Sequence, residues 1–131
     1  MGNKSAGKIF AIADHLLSGR IFAARGDAES ARKELELAVK AQDDLDYDEP
    51  PAFPWPVREA LGGQLLRSGD ALGAEKVFRE DLARTPNNPR SLFGLAESLK
   101  ARGRFFEAGE VQKQFEARWA GADLKLRIED F

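Results

Sequence analysis

Hydrophobic positions recur along this chain every three or four residues, and three short glycine turns interrupt them. Before Gly26 come Phe10, Ile12, Leu16, Gly19 and Phe22; after it come Ala31, Leu35, Ala38 and Val39. Around Gly69 the set is Ala60, Leu61, Leu65 and Leu66, then Ala74, Val77, Phe78 and Leu82. Around Gly103 it is Leu92, Leu95, Ala96 and Leu99, then Phe105, Ala108, Val111 and Phe115. Each set draws one apolar stripe on a helix, with charges on the other side. A glycine between two stripes suits a helix end in the left-handed conformation. The pattern predicts six helices, near 5–25, 27–42, 54–68, 71–84, 88–102 and 105–119, paired by tight turns.

The pairs repeat. Gly69 and Gly103 are 34 residues apart, as are Ala74 and Ala108, whereas Gly26 precedes Gly69 by 43. Three units follow, at about 8–42, 54–86 and 88–120, within one domain spanning 1–131. The extra residues of the first unit form an insertion at 43–54, acidic and then proline-rich, which reads as non-helical. Pro56 suits the first turn of the third helix. Pro86-Asn87-Asn88-Pro89 ends the fourth helix and starts the fifth. The tail at 121–131 alternates apolar and charged residues from Asp123 to Phe131. With no sheet to join, it is expected to lie extended against a helical groove, its own or a neighbour's. Met1 to Gly7 reads as a frayed end or an expression remnant.

The residues in register resemble the tetratricopeptide repeat (TPR) family, whose 34-residue unit places an aromatic, Leu-Gly, Tyr, Ala, Phe and Pro at set spacings. Leu61-Gly62, Leu65, Ala74, Phe78 and Pro86 fit it best, with Arg58 at the first aromatic position. Leu92, Leu95-Ala96, Leu99 and Ala108 fit in the third unit, where Gln112 replaces the Phe. Gly19, Phe22, Ala31 and Leu35 fit in the first, with His15 and Ser18 at the aromatic and Leu positions. The match covers roughly residues 12–120. Tyr47 to Pro51, Pro56-Val57-Arg58, Phe78 to Leu82, Leu92 to Ala96, Trp119 to Asp123 and Phe131 look like the C-terminal part of long, mostly uncharacterised bacterial TPR proteins. That resemblance implies the tail section of a larger protein with a natural C-terminus. It implies an all-α, right-handed superhelix of three helix–turn–helix units with an extended C-terminal tail.

Composition narrows the function. The chain has 131 residues and a formal net charge of −2, with basic residues interleaved among acids. No clustered basic excess offers itself to nucleic acid or to an anionic membrane surface. No apolar run is long enough to span a bilayer. There is no cysteine, which excludes disulfides and thiolate chemistry and suits a reducing, cytoplasmic setting. His15 is the only histidine, and with no adjacent nucleophile beyond Ser18 it reads as a packing residue at a repeat position. Paired carboxylates on exposed helices are generic, and Gly62-Gly63 serves close packing rather than phosphate binding. The chain is expected to be non-catalytic, without metal or cofactor.

The binding candidates come from the resemblance. In the family the first helix of each unit lines a concave face. The positions that match are Ala13, Leu16, Arg20, Glu59, Gly63, Leu66, Arg67, Arg90, Phe93, Glu97 and Lys100. Of these, Arg20, Glu59, Arg67, Arg90, Phe93, Glu97 and Lys100 carry the contact expectation. The four cations could hold carboxylates, and Phe93 could supply an apolar contact. The clamp that some family members use on acidic chaperone tails would fall on Leu16, Arg20, Ala60, Arg90 and Gly94, where only two arginines keep its chemistry. Asp43, Asp44, Asp46, Asp48 and Glu49 read as a solvated acidic loop rather than a Ca²⁺ site. Phe53 and Trp55, set among prolines, read as docking onto the chain's own helices.

The leading expectation is a protein-interaction module that takes a peptide or helix of a partner protein in its groove. A second reading is self-association as a homodimer, or docking onto a missing N-terminal region, through the open end and the tail residues Leu124, Leu126, Ile128 and Phe131. A third makes the chain an inert section of an enzyme whose active site lies upstream. That reading predicts an exposed apolar patch around Ile9, Phe10, Ile12 and Ile21.

Overall fold

The computed structural model describes residues 2–48, 56–119 and 125–131. The fold is all-α. Its helices are α1 (Gly2–Ala24), α2 (Ala28–Asp48), α3 (Val57–Arg67), α4 (Ala71–Arg84), α5 (Pro89–Ala101) and α6 (Phe105–Trp119), followed by a 3-10 turn at Ile128–Asp130. No described helix is long and apolar enough to cross a membrane. The chain divides into two compact units, Met1–Ala60 and Leu61–Phe131. The division falls inside α3.

One turn is used three times. Gly26, Gly69 and Gly103 have φ of 80°, 94° and 77°. Only glycine takes that conformation without a steric penalty. In each turn the residue after the glycine donates its amide to a carbonyl five residues back, from Asp27 to Phe22 (2.9 Å), Asp70 to Leu65 (2.8 Å) and Arg104 to Leu99 (2.9 Å). The same residue then opens the next helix. Asp27 accepts from the Ser30 amide at 3.1 Å, and Asp70 accepts from the Gly73 amide at 2.9 Å. These side-chain caps satisfy amides that a helix start leaves orphaned. Arg104 cannot cap in this way and pairs with Glu107 instead, at 3.1 Å.

In unit 1, α1 packs on α2. Ile12, Leu16 and Gly19 are buried along one face of α1, and Ala31, Leu35 and Ala38 along α2. A methyl group at Gly19 would lie 2.7 Å from Leu35 Cγ. In unit 2, α4 packs on α5 and α5 on α6. Phe78 of α4 is fully buried and flanked by two glycines. A methyl at Gly62 would lie 2.6 Å from its ring, and one at Gly94 would also collide with it. The repeat aligns Gly19 with Leu35, Gly62 with Phe78 and Ala96 with Gln112. At the third of these positions the small residue is the fully buried Ala96. Between α4 and α5, Asp81 accepts from Asn88 Nδ2 at 2.8 Å and from Ser91 Oγ at 2.5 Å. Asn87 there takes the left-handed φ of 66°, a conformation asparagine tolerates better than most residues.

Four expectations are corrected. The insertion at 43–54 is not wholly irregular, because α2 runs on to Asp48. Leu45 extends the buried stripe of Ala31, Leu35 and Ala38, and it keeps the acidic stretch helical. Asp43, Asp44, Asp46 and Asp48 therefore ride a helix rather than a loop. The described chain is helical from Gly2, so Gly2 to Gly7 is not a frayed end. Phe10 and Phe105 do not belong to the core stripes; they are 73% and 71% exposed. The tail is extended at Arg127 but closes into a 3-10 turn at Ile128–Asp130, so its alternation is not carried to the end as a strand. Phe53, Trp55 and Leu124 lie outside the described residues.

Candidate functional site

The site begins with two residues one helical turn apart on α3. Gly63 is buried and Arg67 is exposed, and the four-residue spacing puts both on one face. On α5, Arg90 and Phe93 are three residues apart and share a face in the same way. The tail crosses both pairs. Arg67 donates from Nη1 to the carbonyl of Ile128 at 3.0 Å and from Nη2 to Gln64 Oε1 at 3.1 Å. Arg90 donates from Nη2 to the carbonyl of Asp130 at 3.1 Å.

Phe131 supplies the anchor. It is only 4% exposed. Its ring lies edge-on to Phe78, with centroids 5.8 Å apart, and stacks on Phe93 at 6.0 Å. The Arg90 guanidinium sits 4.5 Å from the ring centroid, in cation–π geometry. Gly63 makes room, since a methyl there would fall 2.5 Å from Phe131 Cβ. The ring chain continues outward from Phe93 to Phe115 at 5.4 Å and from Phe115 to Trp119 at 5.6 Å. The tail also organises itself. The Phe131 amide donates to the Ile128 carbonyl at 3.1 Å, and the Arg127 amide donates to Asp130 Oδ2 at 3.0 Å.

Each guanidinium donates to a main-chain carbonyl of the tail. Glu129 is exposed, and the Asp130 carboxylate turns back to Arg127. Leu126 and Phe131 are buried, while Ile128 is partly exposed. Arg67, Arg90 and Phe93 are thus brought together. Glu97 and Lys100, farther along α5, pair with each other at 3.2 Å. Arg20 is exposed on α1 and Glu59 half-buried on α3, both within unit 1.

Three polar features escaped the sequence reading. Glu75 of α4 is paired with Arg79 at 2.9 Å and with Arg102. Burial pushes its carboxyl up, but hydrogen bonds from Arg102 and Arg79 outweigh that and hold it below its ordinary value. Arg58 fills the repeat's first aromatic position, is buried, and pairs with Asp43 at 2.9 Å. His15 is bonded through Nδ1 to Glu34 Oε2 at 2.7 Å, so it is tied to a carboxylate on α2 rather than packed as a bare ring. The Glu75–Arg79 pair has the i,i+4 spacing of one helix, but nothing in the spacing marks Glu75–Arg102, Arg58–Asp43 or His15–Glu34, whose partners are distant in sequence. Among the described residues no three His, Asp or Glu side chains gather as a metal site.

No protein-family model matches the chain, and no solved structure matches it. An uncharacterised protein of Aquifex aeolicus (strain VF5) is 38% identical to it over 73 residues, which is 54% of this chain and 10% of that protein. The chain therefore spans about a tenth of the length of the relative it matches.

Proposed function

We propose that the chain is a TPR-like stack of helical hairpins, a non-catalytic module that holds an extended peptide or a helix of a partner protein. The repeated glycine turns and the 34-residue spacing support the architecture. One observation carries the function. The face made by Gly63, Arg67, Phe78, Arg90 and Phe93 already grips a segment of chain by its carbonyls and one ring. Main-chain contacts supply affinity and a pocket for one side chain supplies specificity, as in other modes of peptide capture.

The test is a peptide-display selection on the full chain, with the hits re-measured on an Arg67→Glu/Arg90→Glu double variant. Selected peptides should bind the double variant at least about tenfold more weakly, since two donors are lost. Equal binding by both proteins would sink the reading.

A second reading has its own observation. Along α1, Phe10, Leu17 and Ile21 are 73%, 59% and 42% exposed, spaced as a helical stripe. Such a stripe suits docking of another helix, from a second copy or from a longer chain. Self-association through the tail is less favoured, because Leu126 and Phe131 would first have to leave buried positions.

A further inference from the structure

We propose that the tail is a resident competitor for the groove of unit 2, and that the outside ligand is a peptide of the tail's own chemistry. This rests on the groove reading above and names its ligand class. That class is a short segment with an apolar residue, two acids and an aromatic, like Ile128-Glu129-Asp130-Phe131.

Every element of the recognition is general. The arginines bond to carbonyls, which any peptide carries. The ring pocket of Gly63, Phe78, Arg90 and Phe93 accepts any aromatic that arrives with the same turn. The turn itself is local: the Phe131 amide closes on Ile128, and the Arg127 amide closes on the Asp130 carboxylate. A peptide spanning Arg127 to Phe131 carries the groups that close this turn without the rest of the chain.

The grip is also reversible in kind. It buries Leu126 and Phe131, and the arginines that donate to its carbonyls are exposed or half-exposed. A tethered segment competes at high effective concentration, which lowers apparent affinity for an external peptide by the fraction of time the groove is open. Freeing the groove should therefore raise affinity with no change in the pocket itself.

The experiment titrates a fluorescein-labelled peptide of the sequence Lys125 to Phe131 into the full chain, read by anisotropy. The chains compared are unsubstituted, Phe131→Ala, and Phe131→Ala with Arg67→Glu and Arg90→Glu. The peptide should bind Phe131→Ala about tenfold or more tightly than the unsubstituted chain. The two charge reversals should remove that gain. Equal binding by the first two proteins overturns the inference, as does no binding to a Phe131→Ala chain that keeps its helical circular dichroism.

Should Phe131→Ala fail to fold, the unsubstituted chain still decides. Excess unlabelled peptide should accelerate hydrogen exchange at the Phe131 amide; bound peptide with unchanged exchange there overturns the proposal. Failure of the two readings is separable. If display-selected peptides bind through Arg67 and Arg90 but the tail peptide does not, the tail inference falls and the groove reading stands. If neither binds, both fall.

Discussion

On unit 2 the rings of Phe78 and Phe93 are covered by Phe131, whereas on unit 1 Phe10, Leu17 and Ile21 stand exposed along α1. Both surfaces derive from helices with more apolar residues than one stripe needs. On α1 the positions Ile12, Leu16 and Gly19 face α2, and a second stripe of Phe10, Leu17 and Ile21 points away from it. On α5 Leu92, Leu95 and Leu99 are buried, and Phe93 is left beside them. The difference is that a segment of the chain reaches Phe93 with a matching ring and two aligned carbonyls. Excess apolar surface becomes a defined seat only where a neighbour brings complementary polar groups as well.

The largest effect should come from the floor of that seat. Phe78→Ala removes a fully buried ring wedged between Gly62 and Gly94 and also the edge on which Phe131 rests. A Phe-to-Ala change in a core costs about 4 kcal/mol. Chemical denaturation should show that loss, and tail protection in hydrogen exchange should vanish with it. A loss below about 1 kcal/mol would mean that the ring is not the keystone of unit 2.

Removing the cover is the next step. Phe131→Ala should cost about 2 kcal/mol, the scale of burying one Phe side chain, because the tail can then leave while α3 and α5 stay folded. Melting of the variant should remain cooperative. If stability is unchanged, the covered and bare faces are energetically alike and the contrast between them collapses.

Glu75 tests whether the seat depends on the pairing beneath its helices. It joins α4 to Arg102, at the C-terminal end of α5. Glu75→Gln should cost about 1.5 kcal/mol through loss of charge-assisted hydrogen bonds. The pH dependence follows from the sign of the shift. The folded carboxyl is held below its ordinary value, so the folded state binds the proton less readily than the unfolded one. Its contribution is fully present above the unfolded value of about 4.3 and is lost as pH falls through the lower folded value. Acid titration of stability should therefore be shallower in Glu75→Gln between about pH 5 and pH 2. Equal slopes would remove Glu75 as the cause.

The units were legible in sequence to the extent that local rules govern them. Gly26, Gly69 and Gly103 announced three turns because only glycine is comfortable there, and the turns agree down to the hydrogen bond. The run of α2 past residue 42 was hidden, because acidic residues near a helix C-terminus oppose the helix dipole. Buried Leu45 and the Arg58–Asp43 pair outweigh that cost. The groove residues Arg67, Arg90 and Phe93 were reachable through the repeat register. What they hold was not, since contacts between Arg67 and Ile128 span 61 residues and leave no periodic trace. Phe10 misleads because it stands near Ile12 and Leu16 in a roughly helical pattern although it lies on a different face from them.

The smallest effect tests the bare face. Phe10→Ser/Leu17→Ser changes two exposed side chains that contribute little to the core of unit 1. Substitutions at such positions shift stability by only about 0.5 kcal/mol either way. The melting curve should therefore nearly coincide with that of the unsubstituted chain. Solution mass by light scattering provides the sharper reading. If the unsubstituted chain forms concentration-dependent dimers that the double substitution abolishes, the α1 stripe is a docking surface awaiting its cover, as Phe131 covers the seat in unit 2. If stability falls by more than about 2 kcal/mol, these side chains are already packed and α1 has no bare face. The contrast between the two units would then reduce to a difference in how their own residues are buried.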